Sequence, residues 1–160
     1  PINTDALLAL AAIAQRQRRP SDAEHLYQQA WIANPNDAFV QAALLNGATA
    51  ENDGQGAESR LKMLLHKQPE SAALNFALGN LLARQNRWLE AQQAYFNAVA
   101  ADGDNPDYLF NLAVSLDHIR QPSAAAQHYR LALEMATRRP ASFTFEQAKK
   151  RLADLSADQK

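Results

Sequence analysis

Cysteine is absent from the chain, so no disulfide and no thiolate metal site can form, and the redox compartment leaves no mark on the composition. Net charge is nearly absent as well: 16 Lys and Arg set against 17 Asp and Glu leave a formal −1. A chain so balanced offers little attraction to nucleic acid or to an anionic membrane surface. No apolar run approaches the roughly 20 residues that a membrane-spanning helix requires. No signal peptide is recognisable, and the chain opens on Pro1 rather than Met. It is therefore expected to be a soluble fragment of a longer bacterial protein, cytoplasmic or periplasmic, from which any targeting information has been removed.

The patterns that carry chemistry are missing too. His25, His66, His118 and His128 include no pair three or four residues apart on one helix, the spacing a metal site needs. The run Asp102-Gly103-Asp104-Asn105-Pro106-Asp107 opens like a calcium loop. It has Asp107 where that loop needs glycine and Ala113 where it needs a bidentate glutamate, which leaves a helix-capping turn. Gly54-Gln55-Gly56 follows no strand, so it does not read as a phosphate loop. Ser115, Asp117 and His118 are neighbours in sequence without any sign of an oxyanion hole. Trp31 and Trp88 read as packing residues rather than a binding cage. The expectation is a protein without catalytic residues, cofactor or metal.

What the chain does have is length for a core, 160 residues with 47% apolar, and a repeat. The stretch from Leu74 to Ala98 places Leu78, Gly79 and Leu82 on one helical face and Ala91, Tyr95 and Ala98 on another, with a polar turn between. Shifted by 34 residues in either direction, the template keeps fitting. With units starting at Thr4, Ala38, Ala72 and Pro106, position 7 is always leucine (Leu10, Leu44, Leu78, Leu112). Position 20 is always alanine (Ala23, Ala57, Ala91, Ala125), position 24 is Tyr27, Leu61, Tyr95 and Tyr129, and position 27 is Ala30, Leu64, Ala98 and Ala132.

This pattern resembles the tetratricopeptide repeat (TPR) over residues 4–139. The chain departs from that signature at position 4, where Leu7, Gln41, Asn75 and Leu109 replace tryptophan. It departs again at position 32, where Pro35 and Pro69 give way to Gly103 and Thr137. The resemblance implies an all-α, right-handed α-solenoid of four TPR helix hairpins, at about 4–37, 38–71, 72–105 and 106–139, forming a single domain with a C-terminal capping helix at about 143–156. Small residues at positions 8, 20 and 27 let paired helices approach closely, and each hairpin buries its apolar face only against its neighbours.

Turn residues fall where hairpins must end, at Pro35, Pro69 and Gly103 to Pro106. Ser21, Ser71, Asn105 and Ser123 are expected to cap the helices that follow. The second unit should be the least regular, with Gly47 inside its first helix at a cost of roughly 1 kcal/mol and a loose turn over 52–56. In the last segment Thr144 and Gln147 suit a capping box, and Phe145, Ala148, Leu152 and Leu155 share one face.

Function then rests on the concave face. In the TPR family the first helix of each unit lines a ligand groove through positions 2, 5, 6, 9, 12 and 13. Carried over residue by residue, the resemblance implies peptide-binding roles for Phe39, Asn46, Phe76, Asn80, Arg84, Phe110, Asn111 and Asp117. Three phenyl rings on a surface that a monomer would keep polar mark an interaction site. Asn80 and Asn111 match the asparagine pair that clasps an extended backbone, since an amide offers both donor and acceptor. The cations of the family's chaperone-tail clamp are replaced by Leu8, Ala73 and Ala77, or by Ala42, Asp107 and Asn111. The expected partner is therefore a neutral, partly apolar protein or peptide segment, and the module a scaffold or adaptor. The Ala/Gln-rich repeats are similar in style to bacterial TPR proteins that assemble type IV pili or secretion systems. The alternative is a homo-oligomer built through the convex face or the terminal helix.

Overall fold

The computed structural model describes residues 3–37, 40–43 and 54–158. Among them all regular structure is helical: α1 (Thr4–Arg16), α2 (Pro20–Ala33), α3 (Gly54–Lys67), α4 (Ala72–Arg84), α5 (Trp88–Ala101), α6 (Pro106–His118), α7 (Pro122–Met135) and α8 (Phe145–Asp158). Helices α2, α3, α5 and α7 begin at 34-residue intervals, at 20, 54, 88 and 122, and α4 and α6 begin 34 residues apart. The all-α TPR hairpin architecture ended by a helix is what these residues form. The chain falls into two compact units, Pro1–Pro69 and Glu70–Lys160.

Three hairpin turns are built the same way. Arg18, Asn86 and Arg120 stand at position 15 of their units with φ of 56°, 59° and 61°, the left-handed region. The next residue's N–H in each case reaches back five residues: Arg19 to the Ala14 carbonyl, Arg87 to Leu82 and Gln121 to Leu116, all at 2.9 Å. This six-to-one closure satisfies a carbonyl that the helix end would otherwise leave bare.

The starts differ between first and second helices. Asn3, Ser71 and Asn105 cap α1, α4 and α6 by accepting backbone N–H bonds from Ala6, from Leu74, and from both Asp107 and Tyr108. Ser21 and Ser123 are not caps. Pro20 and Pro122 already occupy the first helical position, where proline's missing N–H costs nothing, so each serine lies one residue inside its helix. Gly54, Gln55 and Gly56 also belong to α3 rather than to a loose turn. Gly47 lies outside the described residues.

The alanines of positions 20 and 27 are the floor of both units: Ala23, Ala30, Ala91, Ala98, Ala125 and Ala132 are 2% exposed or less. In the first unit Ala11, Ala14, Ala23 and Tyr27 form the core, with Leu8 and Leu26 against it. In the second, Tyr95 and Tyr129 pack with Leu82, Leu112, Leu116 and the cap's Ala148 and Leu155. Gly79 is small for a reason: a Cβ there would lie 2.5 Å from Cε1 of the buried Tyr95 ring. Trp31, expected to pack, is 48% exposed. Phe145, expected to share the cap's apolar face, is 45% exposed. Phe143, just before the helix, is the cap residue whose ring packs against the core.

Candidate functional site

Five of the predicted site residues are spaced along two helices of the second unit so as to share a face. Phe76, Asn80 and Arg84 follow one another at four-residue steps on α4, and Phe110 with Asn111 sits in the second turn of α6. Asp117 stands on α6 one residue before its end. Phe39 and Asn46 lie outside the described residues.

The two phenyl rings are half-buried in an aromatic row. Phe76 lies 5.8 Å from Tyr95 and 4.7 Å from Tyr108, both tilted. Phe110 meets the edge of Tyr129 at 5.6 Å and stacks on Phe143 at 4.4 Å with planes 9° apart. Between them opens a cavity of about 330 Å³ whose walls include Phe76, Phe110 and Phe143, with Asp107 and Asn111 among the polar groups. A second cavity of about 340 Å³ shares Phe110 and Gln147 with the first and runs along Asp117, His118, Lys150 and Arg151. Phe76 and Phe110 therefore both pack against neighbouring rings and wall a hollow.

The position-24 tyrosines each donate their hydroxyl to a residue of the expected binding face. Tyr27 donates to Gln15 Oε1 at 3.2 Å, Tyr95 to Asn80 Oδ1 at 2.8 Å, and Tyr129 to Asp117 Oδ2 at 3.5 Å. Burial pushes all three phenols above their ordinary value. Burial also lowers the Arg84 guanidinium from its usual value.

The two asparagines are oriented in opposite senses. Asn80 accepts from Tyr95 through its carbonyl oxygen, so its amide protons are what it has left to give. Asn111 donates one Nδ2–H to the Asp107 carbonyl at 2.8 Å, which leaves its carbonyl oxygen and its second N–H to offer. Asp117 is different, because its carboxylate is held by the chain itself. Arg151 donates to both oxygens at 2.5 and 2.7 Å, and the guanidinium holds the carboxyl below its usual range.

The segment leading into α8 is the part of the site that the sequence did not announce. Arg139 makes a two-point ion pair with Asp102 at 2.8 and 3.2 Å. Ser142 then gives its N–H to Asp107 Oδ1 at 2.7 Å and its O–H to Oδ2 at 3.1 Å. Phe143 lands on Phe110, Thr144 accepts the Gln147 N–H at 3.3 Å to start α8, and Arg151 reaches Asp117. Asp107, Phe110 and Asp117 are positions 2, 5 and 12 of the fourth unit, three of the six groove positions. Ser142-Phe143-Thr144-Phe145 is a doubled hydroxyl–aromatic step in the sequence, and that doubling was the available signal.

The remaining polar residues are in structural use. Ser115 is fully buried and donates its hydroxyl to the Leu112 carbonyl at 2.7 Å, which makes it unfit as a nucleophile. Asp102, Asn105 and Asp107, the calcium-loop candidates, are spent on Arg139, the α6 cap and Ser142. His118 stacks flat on Trp88 at 3.7 Å. No group of three or more His, Asp or Glu able to hold a metal ion occurs among the described residues.

Comparison with known proteins agrees with the fold. A tetratricopeptide repeat model matches residues 43–106 and 76–142. The Pseudomonas aeruginosa pilF structure superposes with a TM-score of 0.69 at 21% identity, covering 98% of this chain and 68% of that one. A MamA crystal structure gives a TM-score of 0.64 at 16% identity, over 98% of this chain and 82% of the other. TTC0263, a thermophilic TPR protein of Thermus thermophilus, gives 0.58 at 18% identity, over 97% and 100%. The human protein O-mannosyl-transferase TMTC3 is 28% identical over 103 residues, 63% of this chain and 11% of that protein's length.

Proposed function

Because the chain belongs to the tetratricopeptide repeat family, whose members are generally protein-interaction scaffolds rather than enzymes, we infer that its unit Glu70–Lys160 holds an extended segment of a partner protein along α4 and α6. One observation carries this: an open aromatic cavity at Phe76 and Phe110, on helices that also carry one amide with protons to give and one with an oxygen to offer. A peptide unit presents one N–H and one C=O, and in an apolar hollow each needs a partner. Phe76 and Phe110 would supply area, and Asn80 and Asn111 would supply direction. Asp117 is already ion-paired within the chain, and the cavity is walled by phenyl rings and an uncharged amide, so a neutral, partly apolar segment fits better than a charged one.

Affinity capture from the native cell, with wild type beside Phe76→Asp and Asn80→Ala, tests the assignment. The partner retained by wild type should be lost by the first variant and weakened several-fold by the second. Retention by both variants at wild-type level removes the groove. We place the scaffold among bacterial envelope assemblies such as a type IV pilus or secretion system, on the style of its repeats. Cross-linking in the cell should then recover a component of such a machine.

A further inference from the structure

We propose that this groove selects a segment in which a hydroxyl-bearing residue is followed by an aromatic one, and that Ser142-Phe143 is the chain's own resident copy, which such a segment displaces. The proposal rests on the groove reading above and names the chemistry of its ligand.

The resident copy shows what the wall asks for. The Asp107 carboxylate accepts from two donors of a single residue, the Ser142 N–H and O–H, one at each oxygen. A residue without a hydroxyl leaves one of those oxygens to water, and charge-assisted bonds of this kind are the stronger ones. The next side chain must then be flat: Phe143 lies parallel to Phe110, 9° from coplanar at 4.4 Å, a stack that an aliphatic chain cannot reproduce. The chain supplies one such step and then leaves. Thr144 is committed to starting α8, and Phe145 stays 45% exposed. The cavity toward Phe76 is left open behind it, one 34-residue period back along the face.

This asymmetry gives a foreign segment its advantage. A tethered occupant competes at an effective concentration on the order of millimolar, so an identical free peptide loses to it until its own concentration reaches that range. A longer segment that makes the same first step and runs on over Phe76 gains ring contact and the Asn80 and Asn111 amides, which the resident copy does not use. The anchor of α8 need not move. Ala148 and Leu155 are buried in the core and keep it there, while Ser142 is exposed and Phe143 only partly buried, stacked on Phe110.

The probe is a labelled peptide of residues 140–147 (Pro-Ala-Ser-Phe-Thr-Phe-Glu-Gln), with a control carrying alanine at both 142 and 143. Against the full chain bearing Ser142→Ala and Phe143→Ala together, the peptide should bind at least ~10-fold tighter than against wild type, because the tethered competitor is gone. The control should not bind, and adding Phe110→Ala should abolish binding. Equal affinity for wild type and the double variant, or equal binding of probe and control, overturns the proposal. On the unaltered chain, millimolar probe should speed hydrogen exchange at the Ser142 amide and leave the Leu155 amide protected. Unchanged exchange at Ser142 overturns it as well. If Phe76→Asp abolishes partner capture but the probe shows no selectivity, the groove stands and its hydroxyl–aromatic preference falls. If the probe is selective but capture ignores Phe76→Asp, the reverse holds.

Discussion

Gly79 and Tyr95 are one decision made twice. The glycine exists because the ring lies on it, and the ring's hydroxyl then reaches Asn80 one residue further along α4. Gly79→Ala forces a methyl into a buried ring and should destabilise the protein by about 1–3 kcal/mol in chemical denaturation. Tyr95→Phe keeps the packing and loses the bond, for about 1 kcal/mol. The two variants separate in their pH dependence. The Tyr95 phenol has a folded pKa raised above its unfolded value of 10.0 by burial. Its contribution is therefore complete below pH 10 and is lost as pH rises through the higher folded value. Tyr95→Phe should blunt that alkaline loss and Gly79→Ala should not. The small residue at position 8 and the tyrosine at position 24 were both legible in the sequence, as a repeated pair. Their hydrogen bonds were not, because a repeat reports which faces meet and is silent on which atoms do.

At the scale of single helices and turns, the repeat sets where each begins and local chemistry sets how. The serines after Pro20 and Pro122 looked like caps, yet proline's fitness for the first helical position moved the start ahead of them. Position 15 had no glycine to mark it, and the left-handed residue there became visible only as φ near +60° at Arg18, Asn86 and Arg120. Arg120→Gly removes a side-chain strain of about 1–2 kcal/mol and returns part of it as unfolded-chain entropy. A net stabilisation of about 0.5–1 kcal/mol by urea denaturation is expected, whereas Arg120→Val should destabilise. The cap helix was read from Ala148, Leu152 and Leu155, but its polar anchor was not. Arg151 and Asp117 are 34 residues apart in sequence and in no shared motif. Asp117 has a folded pKa below its ordinary 3.8, chiefly through the Arg151 bond, so its contribution is present above that pH and disappears as pH falls through the folded value. The protection factor of the α8 amides, taken against the intrinsic exchange rate at each pH, should fall on acidification from about pH 5 toward 2, and Asp117→Asn should show low protection across that range.

On the scale of the unit Glu70–Lys160, the groove positions of the third and fourth hairpins have different fates. On α4 Phe76 walls an open cavity, whereas those of α6 are partly covered by residues 142–151. The periodic pattern treats the two alike, since it ranks residues by position and not by what the chain's end brings over them. The same blindness explains position 7, where Leu112 is 1% exposed and Leu10 is 51% exposed. The exposed Leu89 and Phe96 on α5 are the natural contrast to the groove, because self-association through an outer face would engage them. A photo-activatable amino acid placed in turn at 76, 110, 89 and 96 in the living cell tests the central claim most directly. If α4 and α6 hold a partner segment, positions 76 and 110 give adducts to another polypeptide and positions 89 and 96 give none. Adducts from 89 and 96 alone, to a second copy of the chain, would contradict it.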